Sequence, residues 1–219
     1  MLQDVVEVDT GTKPTGTVIW MHGLGADGHD FEPIVPELVR PGERALRFVF
    51  PHAPVRPVTL NRGYPMRAWY DIVSIERHAA QDEVGIRASH AIVEGLIRRE
   101  NERGIAANRI VLAGFSQGGA MALYSGTRYP EKLAGIMGLS CYMLMESSFA
   151  AERVAANQAT SIFLGHGTQD PVVSPTLGED TRRLLEQADY SVEWHAYPMP
   201  HSVCPQEVAD IAAWLRRVL

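Results

Sequence analysis

The stretch Arg109-Ile-Val-Leu-Ala113-Gly114-Phe115-Ser116-Gln117-Gly118-Gly119-Ala120 decides the fold. It opens on a short apolar run, passes through a serine flanked by glycines, and continues into a helix-like segment. A strand that turns sharply into a helix around G-x-S-x-G holds its serine in a strained backbone geometry. Only small residues two before and two after the serine let strand and helix approach so closely, and Gly114 and Gly118 satisfy that requirement. The helix that starts beside Ser116 also aims free backbone N–H groups at negative charge developing on a nearby oxygen. No other serine in the chain has this setting, although a glycine-rich turn can also serve only to pack a helix tightly.

Partners for Ser116 decide between those alternatives. A hydroxyl is a poor nucleophile until a base takes its proton, and the base needs a carboxylate to fix its tautomer. In a strand–turn–helix arrangement of this kind the acid and then the histidine follow the serine, each on a loop beyond a later strand. Asp170 in Gly165-His166-Gly167-Thr168-Gln169-Asp170 and His201 in Pro198-Met199-Pro200-His201-Ser202 fit that order. His166 precedes the acid on its own loop and reads as a supporting hydrogen-bond partner. His195 alternates with Trp194 on a strand and is expected on the opposite side from it, as surface or filler. His22 opens His22-Gly23-Leu24-Gly25 just after an apolar run, where the second backbone donor for an oxyanion is expected. Leu24 and Gln117 are therefore the candidate oxyanion donors.

Outward from this core the chain alternates short apolar runs with longer amphipathic ones, as in a parallel sheet covered by helices. Strands are expected at 5–8, 17–21, 46–50, 109–113, 134–139, 161–165 and 191–196, and helices at 83–102, 117–128, 177–188 and 206–218. Residues 52–80 fit neither period and carry Pro54, Pro57, Pro65, Trp69 and Tyr70, so a long loop walling the site is expected there. No repeat or linker divides the 219 residues, and residues 1–219 are read as one α/β domain.

Composition removes other function classes. Twenty-six acidic against 20 basic residues give a net charge of -6, with no footprint for nucleic acid. Cys141 and Cys204 form neither a disulfide framework nor a metal pattern, and His201-x-x-Cys204 lacks a second ligand pair. Both thiols are expected to stay reduced, Cys204 buried near the base, and no metal or cofactor is expected. Asp4, Glu7 and Asp9 stand where an export signal would need positive charge, so a cytoplasmic location without stable membrane insertion is expected. Gly23-x-Gly25-x-x-Gly28 spells the dinucleotide fingerprint and raises a nicotinamide-dependent oxidoreductase as the alternative. Against it, the strand at 46–50 runs into Pro51-His52-Ala53-Pro54 rather than an acidic residue, and Pro33 and Pro36 disfavour the helix that should follow Gly28.

Taken together, His22-Gly-Leu-Gly-Ala-Asp-Gly28, Arg67-Ala-Trp-Tyr-Asp71, Gly114-Phe-Ser-Gln-Gly-Gly119, His166-Gly-Thr-Gln-Asp170 and His201-Ser resemble the carboxylesterase, lysophospholipase and acyl-protein thioesterase family. The chain length most resembles the bacterial carboxylesterases within it. The resemblance implies an α/β-hydrolase fold with a mostly parallel central sheet flanked by helices and a minimal cap. It also implies a cofactor-free serine hydrolase acting on a small-molecule ester or thioester, with short to medium acyl esters favoured. Acyl-protein thioesterase or lysophospholipase activity is the alternative. The triad would be Ser116, Asp170 and His201, with Leu24 and Gln117 as oxyanion donors. Trp69 would stand near the mouth of an acyl groove, and Gly23, Ile72, Met143 and Val172 would line it, with the loops at 67–75 and 141–149 shaping the pocket. Homodimers are common among such proteins, so self-association is a further expectation of the resemblance.

Overall fold

The computed structural model of the chain describes residues 4–40, 42–74 and 80–219. Its central sheet contains β1 (Val5–Asp9), β2 (Gly16–Met21), β3 (Leu46–Pro51), β6 (Ile110–Phe115), β7 (Gly135–Leu139), β8 (Ser161–Gly167) and β9 (Val192–Tyr197). Their spatial order is β1-β3-β2-β6-β7-β8-β9, with β1 antiparallel to β3 and every other neighbour parallel. All seven expected strands exist, most of them extended by one or two residues.

Both faces of the inner strands are buried, which explains why they read as continuous apolar runs rather than alternating ones. The period of two is still present in where the side chains go. Val18 and Trp20 of β2, Phe48 and Phe50 of β3, and Val111 and Ala113 of β6 enter one core. Ile19, Met21, Val49, Ile110 and Leu112 enter the other. The first core is closed by α1 (Val35–Leu38) and α6 (Pro205–Val218). The second is closed by α2 (Glu83–Glu102), α3 (Gln117–Arg128), α4 (Glu146–Glu152) and α5 (Pro175–Gln187). Asp82 caps α2 by accepting the Gly85 N–H at 2.9 Å, and its other oxygen accepts the Asp71 N–H. Every residue of α3 is buried, so its small residues let it lie against the sheet.

The segment expected to be a loop holds a two-stranded antiparallel hairpin, β4 (Val55–Val58) with β5 (Tyr64–Arg67). Its strands are four residues long and each contains a proline, which hides them from any test of periodicity. Positions 75–79 of that expected loop, and so the end of the 67–75 stretch, lie outside the described residues. Among the described residues no helix is long and apolar enough to cross a membrane.

Candidate active site

Ser116, Asp170 and His201 all stand past the carboxyl ends of parallel strands, after β6, β8 and β9 respectively. Ser116 follows β6 directly and caps α3 with φ 53° and ψ -117°, a backbone conformation that L-residues rarely hold. It is pinned there by its N–H donating to the Leu139 carbonyl at 2.8 Å and its carbonyl accepting the Ala120 N–H at 3.0 Å. The flanking glycines are required by contact. A Cβ on Gly114 would stand 2.2 Å from the Gly118 backbone, and one on Gly118 would stand 2.2 Å from the Met21 carbonyl oxygen. This close approach brings the loop after β2 against the serine, with Gly23 facing Phe115 and Ser116.

His201 Nδ1 lies 2.6 Å from Asp170 Oδ2, so Nδ1–H donates to the carboxylate and Nε2 is left as the acceptor nitrogen. Asp170 Oδ1 accepts the N–H groups of Val172 and Val173 at 2.8 and 2.9 Å. His166 supports the same loop: its Nε2–H donates to the Val173 carbonyl at 2.9 Å, and burial pulls its pKa below the usual histidine value. The ring of Phe115 packs on His201 with centroids 4.7 Å apart. His195 lies elsewhere, stacked on Phe163, while Trp194 of the same strand packs on the opposite side beside His166.

A cavity of about 280 Å³ joins these parts, lined among others by Ser116, His201, Leu24, Gln117, Gly23, Ile72 and Val172. Gln117 opens α3, so its backbone N–H has no partner inside the helix. Its side chain ties down the neighbouring wall, Oε1 accepting the Trp69 N–H at 2.7 Å and Nε2 donating to the Tyr70 carbonyl at 2.8 Å. His22 is structural. Its Nε2 accepts the Ala53 N–H, its Nδ1–H donates to the Gly23 carbonyl, and burial lowers its pKa.

Three expectations need correction. Trp69 is fully buried rather than at the groove mouth, because its indole N–H donates to the His22 carbonyl at 2.9 Å and its ring packs on His22. Met143 belongs to the core beneath the site, where its N–H donates to the Thr181 hydroxyl at 2.8 Å, and it does not line the cleft. Cys204 is only half-buried, at the start of α6, whereas Cys141 is buried and its thiol is pushed up by that burial. Leu60, Tyr70 and Tyr142 line the cleft from the segments expected to wall it, while Asp30 and Phe115 line it without having been expected. Tyr70 follows Trp69 in sequence, so the signal for that wall was present but displaced by one residue.

The loop after β2 leads into a turn at Glu32–Ile34 and the four-residue α1, not into the long helix a dinucleotide fingerprint requires. Among the described residues no group of three or more His, Cys, Asp or Glu is placed to hold a metal ion.

A sequence profile described as phospholipase/carboxylesterase matches residues 3–219. An acyl-protein thioesterase 1 of Neurospora crassa is 44% identical, covering 93% of this chain and 86% of its own. The acyl-protein thioesterase 1 of Mycosarcoma maydis is 38% identical, covering 98% and 96%. The crystal structure of Zea mays acyl-protein thioesterase 2 superposes with a TM-score of 0.87 at 27% identity, covering 99% of each chain. These fungal and plant relatives lend no support to the bacterial carboxylesterase type that chain length had suggested.

Proposed function

The chain belongs to the phospholipase/carboxylesterase family, and from that premise we propose that it is a serine hydrolase cleaving acyl thioesters and esters, with acyl-protein thioester hydrolysis as its principal reaction. The observation that carries the chemistry is the Asp170-oriented His201 lining one cleft with Ser116. The name borne by the fungal relatives favours thioesters over generic carboxylic esters.

In this reading His201 Nε2 takes the Ser116 hydroxyl proton as Oγ bonds the acyl carbon. The backbone N–H groups of Leu24 and Gln117 hold the resulting oxyanion. Collapse breaks the C–S or C–O bond, and the proton on His201 passes to the leaving sulfur or oxygen. Water, deprotonated by the same nitrogen, then releases the acid and restores Ser116. The mostly apolar lining suits an acyl chain. A cavity of about 280 Å³ falls just below the usual range of ligand pockets, about 300–1,000 Å³, which supports short to medium chains. Two free cysteines are consistent with a cytoplasmic location. Lysophospholipid hydrolysis uses the same steps and is the second reading, favoured by the family description.

The test is kcat/KM for matched octanoyl substrates, one an S-acyl cysteine peptide and one its O-acyl serine counterpart, with Ser116→Ala as the blank. Faster turnover of the thioester supports the proposal. A strong ester preference returns the chain to a general carboxylesterase, and Ser116→Ala activity equal to wild type refutes the mechanism.

A further inference from the structure

We propose that the cleft discriminates among substrates by leaving-group charge, favouring thioesters whose thiol fragment is cationic over those whose fragment is anionic, with Asp30 as the determinant. This rests on the hydrolase reading above and adds a substrate class to it.

Among the described residues that line the cleft, all but Asp30 and His201 are apolar or neutral, and none is a lysine or arginine. Asp30 is therefore the one carboxylate among the described lining residues, in a chain whose net charge is already -6. Its place in the fold assigns it to the leaving-group side. Asp30 immediately precedes Phe31, whose ring lies 5.7 Å from that of Phe115, and Phe115 in turn packs 4.7 Å from His201. The segment that carries Asp30 is thus linked through Phe31 and Phe115 to the base, and Asp30 lines the same cleft as His201. In the proposed mechanism that base hands a proton to the departing sulfur, so the thiol fragment lies beside His201 while the acyl chain takes the apolar remainder.

Among the described residues the Asp30 carboxylate has no cationic partner that would cancel its charge. Asp30 is exposed, and what desolvation its carboxyl undergoes, with Asp27 nearby, pushes its pKa up. Assays are run at about pH 8, well above the ordinary aspartate range. Acyl groups on cysteines within basic peptide segments would be favoured by this field, and thioesters of phosphate-bearing thiols would be disfavoured.

The experiment uses three hexanoyl thioesters, of thiocholine (cationic), mercaptoethanol (neutral) and mercaptopropanesulfonate (anionic). Wild type, Asp30→Asn and Asp30→Lys are compared at low and high salt. The readout is the cationic-to-anionic ratio of kcat/KM in each variant relative to wild type, which cancels the intrinsic reactivity of the thiols. Asp30→Asn is expected to lower that ratio about five- to twentyfold at low salt, as one charge acting over several ångström would. Asp30→Lys should lower it further, and salt should shrink both effects. Equal ratios in all three proteins at low salt overturn the proposal while leaving the hydrolase reading intact. Hydrolysis of none of the thioesters by wild type overturns both.

Discussion

His201 Nδ1 lies 2.6 Å from Asp170 Oδ2, while Asp170 Oδ1 is held by the N–H groups of Val172 and Val173. One oxygen anchors the loop and the other orients the imidazole. Asp170→Asn keeps the anchor but turns an amide N–H toward Nδ1, which forces the ring into the tautomer with Nε2 protonated. We expect kcat to fall about a thousand- to ten-thousandfold with the melting temperature nearly unchanged. A loss smaller than about tenfold would mean that Asp170 does not orient the base.

Ser116 holds φ 53° and ψ -117°, and no L-residue adopts this conformation without strain. Glycine does so freely. Ser116→Gly and Ser116→Ala should therefore both be inactive, but the glycine variant should be more stable by about 1 kcal/mol, read from urea unfolding midpoints. Equal stability would contradict a strained nucleophile turn.

A methyl group on Gly118 would meet the Met21 carbonyl at 2.2 Å, and backbone on both sides leaves little room to relax. Gly118→Ala is expected to cost about 3 kcal/mol or more, lowering the melting temperature by about 6–12 °C and reducing activity as the loop after β2 is pushed from Ser116. Gly95 offers the contrast, since nothing lies within 4 Å of a Cβ built there, and Gly95→Ala in the middle of α2 should stabilise.

Much of this was legible in the chain because the chemistry demanded particular residue types at particular turns. Gly114 and Gly118 announce the strand–turn–helix, and the order Ser116, Asp170, His201 follows the strand order of the sheet. The hairpin around Arg62 was not legible, since its proline-bearing strands are too short to show alternation. The four-residue α1 and seven-residue α4 were hidden for the same reason of length. Trp69 and Met143 lie one packing layer deeper than expected, because a sequence marks a segment as a wall without saying which residue faces the cavity. Glu207 gave no signal at all: a glutamate in the first turn of a helix normally faces water, and only tertiary packing against Gly165 buries it.

That buried carboxyl has a measurable consequence. Among the described residues neither Glu207 oxygen finds a hydrogen-bond partner, and burial, with Asp210 nearby, raises its pKa from the ordinary 4.5 to about 8. The folded protein then binds a proton that the unfolded chain releases between those values, so stability falls as pH rises from about 4.5 to about 8. Glu207→Gln removes this dependence, and its melting temperature should decline less than that of wild type across the interval. Parallel curves would show that Glu207 is ionised in the fold.

Whether Ser116 is an activated nucleophile is read from the intact mass after reaction with a fluorophosphonate probe. One adduct per chain, mapped to Ser116 and absent from Ser116→Ala, is the predicted result. Folded wild-type protein that takes up no adduct, or uptake equal in Ser116→Ala, would show that Ser116 is not an activated nucleophile.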